Sequence, residues 1–450
     1  MTLNSVTYKR PKNGVINDLQ KIDAPIHGWY RFVLSYPPHL VQEFLKRFQM
    51  SDKNLVLDPF CGTGTTLVEA KKLGIPSVGC DAHPFAALVS RVKTNWDLKP
   101  KHLRKILLEL LRSAQSVMTR HGLPSLSFSH ELFQETVDVH PRGYALTMQE
   151  KKLLPTGFLS RSPRRRLLIL REQIEAVTSQ ESQAVKEFFL LALAHVIANG
   201  AGNFSFGPEI YRTKEKPDYD VLGHFALHVD TMISELANVG DRSDVSCEVF
   251  QSDARTLEGV PNGLSAVITS PPYPNEKDYT RTTRVESLLL RLLSDRASLR
   301  HVKESMLRSN TRNVFVKDRD AEEVLEFPMI QEVCEVIEKR RIELGKTSGF
   351  EKLYHKVVAH YFGGMRRHFR ALRPKLKLNA KLAYVVGDQF SFLMVPVPTA
   401  KLLAIVAEAE GFRVIGCELW RERTGTKVRN DRAGRTTIKS REEILLLERI

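Results

Sequence analysis

The stretch from Leu55 to Asp81 constrains the fold more than any other part of the chain. LVLDPF (55–60) is a short apolar run closed by Asp-Pro; Gly-Thr-Gly follows, then TTLVEAKKL, stopped at Gly74, and a second apolar run, SVGCD (77–81). Strand, tight turn, helix and strand in that order form a β-turn-α-β unit, whose two strands must run parallel. Parallel strands are covered on both faces, so the chain has to supply more sheet and more helices elsewhere.

It does so after a long interval. CEVFQSDA begins at Cys247, LSAVITS spans 264–270, and the helical VESLLLRLL follows a proline-rich turn. KLAYVVGD (381–388), TAKLLAIVAEAEGF, RVIGCELWRER and EEILLLER continue the alternation to the C-terminus. The expected class is α/β, with one doubly wound sheet drawn from both stretches. Between them, HLRKILLELLRSAQSVM and ESQAVKEFFLLALAHVIA carry helical periodicity. The polar NGAGNFSFGPEIYRTKEKPDYD reads as a loop, and MIQEVCEVIEKRRIEL as a helix in a second irregular segment. This gives a core interrupted by a helical insertion at 100–240 and a second insertion at 295–350.

The longest apolar stretch, Phe188–Ala198, includes His195 and is far short of the ~18 residues of a membrane span. The start, MTLNSVTYKRPKNG, has no apolar signal core. The expectation is a soluble protein with no membrane partner. Five scattered cysteines without CxxC spacing suit a reducing cytoplasm and argue against a zinc site, so no metal is expected.

Charge points to a polyanion. Lysine and arginine number 67 against 52 acids, a formal net charge of +15. The excess is clustered: 161–171 holds five arginines and no acid, and 421–441 holds eight basic residues against Glu422 and Asp431. Residues 365–381 carry Arg366, Arg367, Arg370, Arg373, Lys375, Lys377 and Lys381, again with no acid. Solvated faces ordinarily mix the two signs, so the clusters favour nucleic acid. In the third tract, Arg366, Arg370 and Arg373 recur at helical intervals before Pro374, and the expectation is that they grip phosphate.

In DPFCGTGTT (58–66), glycines at a strand-to-helix turn let backbone approach a ligand, and the helix behind offers free N–H groups to an anion. A P-loop would need Gly-Lys-Ser/Thr, but Thr65 follows Gly64; Leu67 stands where GxGxxG needs its third glycine. Asp81 ends the next strand at the distance where an acid can hold a ribose diol. Each feature alone is equally well an ordinary turn or strand-end acid; the combination suits an adenosine-type cofactor. Asp253 in QSDA reads as a further strand-end acid. TSPPYPNEKDY (269–279) leaves its strand through two prolines, a rigid extended turn at the ligand-binding edge of the sheet. Its carbonyls and the Ser270 hydroxyl can accept from an exocyclic amine while Tyr273 stacks on a base.

DPFCGTGTT, then GCD, then SPPY resemble the S-adenosylmethionine-dependent DNA amino-methyltransferases, most closely the cytosine-N4 group. The resemblance implies a Rossmann-like doubly wound methyltransferase sheet with a large helical insertion. It places Asp58, Phe60, Gly62, Gly64, Thr65 and Thr66 at the methionine part of the cofactor, Asp81 at its ribose and Asp253 at its adenine. Ser270, Pro271, Pro272 and Tyr273 match the catalytic tetrapeptide. HGWYRFVLSYPPHLVQEFL (27–45) resembles the family's cofactor-flanking segment. On this basis 1–99 is the cofactor-binding half of the core, 241–294 the catalytic half and 351–450 the completion of the sheet. The insertions 100–240 and 295–350 become candidates for DNA contact, with the arginines of 161–171, the loop 199–220 and SNTRN (309–313) the places to look. In many SPPY enzymes the catalytic motif precedes the glycine turn; here it follows.

The implied activity is direct displacement of the cofactor's methyl group by cytosine N4 in DNA, on a base flipped out of the duplex, with room for a restriction endonuclease partner in the same system. Carbon-5 methylation would need a cysteine, commonly after proline, and none of the five follows one. Adenine-N6 methylation is the nearest rival, although those enzymes usually carry Asp or Asn where Ser270 stands. A non-catalytic nucleic-acid-binding protein that kept the fold is the alternative of a different class.

Overall fold

The computed structural model describes residues 19–32, 35–123, 125, 127, 144–206, 209–239, 242, 244–275, 277–423, 428–431, 434–437 and 440–450. Its strands are β1 (Val56–Asp58), β2 (Ser77–Asp81), β3 (Phe204–Phe206), β4 (Ile210–Arg212), β5 (Cys247–Gln251), β6 (Leu264–Thr269), β7 (Leu376–Gly387), β8 (Phe412–Arg423), β9 (Val428–Asp431), β10 (Gly434–Thr437) and β11 (Ser440–Arg449). Seven form one sheet in the order β5-β2-β1-β6-β7-β11-β8. The pairs β5/β2, β2/β1, β1/β6 and β6/β7 are parallel, and β11 runs antiparallel between β7 and β8. The two distant stretches of sequence therefore do build one Rossmann-like sheet.

Strand alternation sorts its side chains into two layers. Val56, Ala266, Ile268, Ala383, Val385, Ile444 and Leu446 pack with Leu40, Val41 and Phe44 of helix Pro38–Arg47. Their neighbours Leu57, Val267, Leu382, Tyr384, Leu445 and Leu447 pack on the other face against helices Tyr354–Leu372 and Thr399–Ala409. The register of β6 on β1 and β7 brings the C-terminal ends of all three strands to one edge.

Helices Pro100–Arg120, Arg161–Val177, Gln183–Val196 and Val221–Asn238 share a second apolar core, to which Trp29, Tyr30, Phe85, Leu88 and Val92 also belong. Helix Gln183–Val196, with the π-turn after it, is apolar enough to cross a membrane by composition, yet most of it is buried inside this core. The segment read as a loop at 199–220 contains that π-turn and the β3/β4 hairpin. Three-residue strands are too short to show a period of two, which is why the sequence hid them.

The basic tract at 365–381 departs from expectation. Arg366 pairs with Glu410 at 2.6 Å and Glu326 at 2.5 Å, Arg370 with Glu410 at 2.9 Å and Glu323 at 3.0 Å, and Arg367 with Asp320 at 2.6 Å. These guanidinium groups lock helix Tyr354–Leu372 to the second insertion and to the end of helix Thr399–Ala409, so they do not offer free charge to phosphate. The helix does end before Pro374, at Leu372. In the tract 421–441, the side chains of 423–439 lie outside the described residues.

Candidate active site

Pro59 ends β1 and the chain turns through Gly62 (φ 52°) and Gly64 (φ 81°) into helix Thr65–Lys72. Both glycines occupy the left-handed region. At Gly64 space also forbids a side chain, because a Cβ would lie 3.0 Å from Ser90 Oγ and 3.2 Å from its Cα. No side chain caps the helix that follows, so its first N–H groups are left to a ligand or solvent.

Asp58 is fully buried and holds this turn to the catalytic strand. Its carboxylate accepts from the Tyr36 hydroxyl at 2.7 Å, the Thr269 hydroxyl at 2.6 Å and the Phe60 amide at 3.2 Å. Burial pushes its pKa up while those donors oppose the shift. Thr66 bonds to the Ile268 carbonyl at 3.1 Å, and its hydroxyl also meets Tyr36. Asp58, Gly64 and Thr66 thus shape the turn from behind. Phe60, Gly62 and Thr65 line the cleft, with Cys61 and Thr63 beside them.

Asp81 ends β2 and also lines the cleft. Its two oxygens accept from the Gly62 amide at 2.9 Å and the His83 amide at 2.8 Å. Burial raises its pKa to about 6 against those two donors. A carboxylate fixed by two backbone amides keeps lone pairs for a diol. With the glycine turn and the uncapped helix, the cradle fits the carboxylate and ribose ends of S-adenosylmethionine. Asp253 sits differently: Arg255 takes its carboxylate through Nε at 3.0 Å and a terminal nitrogen at 2.7 Å, then reaches Asp320 at 2.6 Å. Ala254, not Asp253, lines the cleft, together with Ser305, Met306 and Leu307 from the second insertion.

The six residues of β6 are all buried, and Pro271-Pro272 carries the chain out of the sheet. Ser270, Pro271, Pro272 and Tyr273 all line the same cleft, whose volume is about 990 Å³. Ser270 Oγ donates to the Val385 carbonyl at 3.0 Å. With its proton committed there, the hydroxyl meets the cleft as an acceptor. The Tyr273 ring lies on Gly387, where a Cβ would approach Cε2 to 3.1 Å. Asn275 accepts from the Lys277 amide at 3.0 Å and approaches Gln389 at 3.4 Å, closing the turn against the end of β7.

The remaining walls were not singled out as site residues from sequence. Asp388, Gln389 and Ser391 follow β7, Trp420 and Arg421 end β8, and Glu442 begins β11. Burial, reinforced by the charge of Glu443, raises the pKa of Asp388 to about 6. Asp388 carries the signal that marks Asp58 and Asp81, an acid closing a parallel strand, and could have been found by it. Phe206 and Glu209 of the β3/β4 region, and Tyr30, Arg31 and Phe32 ahead of the core, complete the cleft.

A DNA methylase family model covering N6 and N4 methyltransferases matches residues 6–90. Type II methyltransferase M.BsoBI of Geobacillus stearothermophilus is 25% identical over 433 residues, covering 89% of this chain and 81% of the relative. Type II methyltransferase M.MvaI of Kocuria varians is 24% identical over 340 residues, 71% of this chain and 70% of its own. M.MjaII of Methanocaldococcus jannaschii, also a Type II methyltransferase, reaches 40% identity over 99 residues, 22% of this chain and 18% of the relative. An alignment over 89% of the chain has to include both the glycine turn and the SPPY turn. Taken with the cleft that both turns line, this makes the chain similar to the S-adenosylmethionine-dependent DNA amino-methyltransferases across both motifs.

Proposed function

We propose that this chain is a Type II, site-specific DNA methyltransferase that moves a methyl group from S-adenosylmethionine to the N4 amine of cytosine. The observation that carries the reading is the Ser270 hydroxyl, a neutral acceptor on the same cleft as Asp81. A cleft of about 990 Å³ is at the top of the ~300–1,000 Å³ range for small-molecule sites, which suits a cofactor and a base together.

Bound at Phe60, Gly62, Thr65 and Asp81, S-adenosylmethionine supplies an electrophilic methyl group on sulfur. The chain's own residues have to raise the nucleophilicity of an amine whose lone pair is delocalised into the base. Ser270 Oγ and the Pro271 carbonyl accept its two N–H bonds and draw them out of the ring plane, which restores a directed lone pair. Tyr273, braced by Gly387, stacks on the base and fixes its angle of approach. A cleft of about 990 Å³ holds a cofactor and one base but not a duplex, so the base enters only when flipped out. A carboxylate or amide at position 270 would suit adenine better; the hydroxyl favours cytosine. The same reading puts the enzyme in the cytoplasm, with a restriction endonuclease of matching recognition sequence as its companion.

The test is nucleoside mass spectrometry on DNA from a methylation-free host expressing the chain. N4-methylcytosine is expected. N6-methyladenine would overturn the assignment of the base, and neither product would overturn the enzyme.

A further inference from the structure

Two segments that the sequence separates by some forty residues meet next to the hairpin that lines the cleft. The first turn of helix Arg161–Val177 packs against the chain that leaves the β3/β4 hairpin. Ser160 bonds to Glu215 at 3.4 Å, Ser162 to Asp218 at 3.1 Å, and the Asn203 side chain to the Gly157 carbonyl at 3.2 Å and to Ser160 at 2.9 Å. The Arg212 guanidinium lies over Gly157, where a Cβ would come within 2.5 Å of it. The hairpin reaches the cleft itself through Phe206 and Glu209, and Arg281 ties Glu209 to the helix after the SPPY turn at 3.4 Å. Strand rise of ~3.3 Å per residue puts Arg212 ~10 Å from cleft-lining Glu209.

The acids on this face are already engaged: Glu209 by Arg281, Glu215 by Ser160 and Arg212, Asp218 by Ser162 and Arg166. Arg161, Arg164, Arg165 and Lys214 make no side-chain hydrogen bond or ion pair among the described residues, and Arg161 and Lys214 are exposed. Arg161, Arg164 and Arg165 stand at i, i+3 and i+4, on one side of the turn, while Arg166 is buried. Like charges at that spacing repel, and cations in a first turn oppose the helix dipole. The arrangement costs stability, and no ion pair among the described residues offsets it.

We infer that Arg161, Arg164, Arg165 and Lys214 form a phosphate-binding surface that holds duplex DNA beside the cleft, the role that the paired arginines of 365–381 do not fill. The inference rests on the DNA methyltransferase reading above. Phosphate contacts of this kind position the duplex without reading bases.

The test is fluorescence anisotropy of a labelled 30-base-pair duplex of arbitrary sequence, titrated between 50 and 250 mM KCl. Each lost contact should flatten the slope of log K against log salt by ~0.9, so the variant R161A/R164A/R165A/K214A should flatten it by ~3.6. A flattening of less than ~1.8, two contacts, overturns the surface while leaving the enzyme reading intact. A wild-type protein that does not bind the duplex at 50 mM KCl overturns both. Should the fourfold variant melt well below wild type, Arg165→Ala and Lys214→Ala are read singly, each expected to flatten the slope by ~0.9; no change in both overturns the surface.

Discussion

Replacing Asp81 by alanine separates a cofactor-binding carboxylate from a strand-end cap through its pH dependence. Asp81 Oδ2 accepts the Gly62 amide and Oδ1 the His83 amide, so both oxygens are fixed before any ligand arrives. Only the ionised form can accept from both hydroxyls of a diol while keeping those amides. Burial raises the folded pKa to about 6, above the ~3.9 of an unperturbed aspartate. The sign follows: binding strength is present above pH 6 and is lost as the pH falls through it. At pH 5 about one molecule in eleven is ionised, so wild-type affinity for S-adenosylmethionine should fall roughly tenfold between pH 8 and pH 5. Asp81→Ala should lose ~1.5–3 kcal/mol at pH 8, the worth of a hydrogen bond to a charged group, which is about 12- to 150-fold in Kd. Its affinity should then be flat from pH 8 to pH 5. Calorimetric titration of both proteins at four pH values measures the slope and the offset together. A variant that keeps the wild-type pH slope, or loses no affinity at pH 8, would falsify the role given to Asp81.

Four other outcomes are expected. Ser270→Ala should nearly abolish methyl transfer and leave S-adenosylmethionine affinity little changed; wild-type turnover would remove Ser270 from the chemistry. Reversing Arg366 and Arg370 to glutamate sets like charges against Glu323, Glu326 and Glu410. It should lower stability in urea by ~2 kcal/mol or more, and the salt slope for DNA should stay at its wild-type value. Gly363→Ala should destabilise, because a Cβ would lie 1.7 Å from the Asp320 carbonyl oxygen; the ~1–3 kcal/mol of overpacking outweighs the ~1 kcal/mol helix preference for alanine, and a raised Tm contradicts this. Glu286 is fully buried, and burial raises its pKa to about 7. The folded state therefore binds the extra proton, and wild-type stability falls as pH rises from ~4.3 towards 7. Glu286→Gln should be the more stable protein at pH 8, by ~1–3 kcal/mol, and the gain should vanish near pH 4; an equal difference at both pH values rejects the buried-carboxyl account.

The legible parts of this chain are those where one residue type does one local thing. Asp58-Pro59 ends a strand, Gly62 and Gly64 permit a left-handed turn, Pro271-Pro272 forbids both helix and strand, and each lies where local conformation is dictated within a few residues. The apolar runs in 264–269 and 381–387 are likewise local, and they mark β6 and the buried half of β7. Charge was not legible in the same way. Arg366 reads as a free cation in sequence because its partner Glu410 is forty-four residues away. The resemblance puts Asp253 at adenine, while Arg255, two residues on, binds its carboxylate. Sign counting detects an excess; only the fold decides which charges cancel, and here it pairs Arg366, Arg367 and Arg370 with acids while leaving Arg161, Arg164, Arg165 and Lys214 without an ion pair among the described residues.

The helical insertion also does more than lengthen the chain. Ile26 is held at φ 67° and ψ −47°, a costly conformation for a β-branched residue. Something has to over-determine it, and the restraints come from both sides. Glu235, in helix Val221–Asn238, accepts from the Ile26 amide and the Trp29 indole, each at 2.8 Å. His195 and His228, stacked with centroids 3.5 Å apart, both meet the Trp29 carbonyl, at 3.1 and 3.0 Å. From the core side, the buried Lys93 ammonium bonds to the His27 and Tyr30 carbonyls. Burial lowers its pKa to about 7. The strap fixed in this way runs directly into Tyr30, Arg31 and Phe32 on the wall of the cleft. Three of the groups that hold this strap, His195, His228 and Glu235, are therefore delivered by the insertion, so the insertion supports the segment that enters the cleft wall.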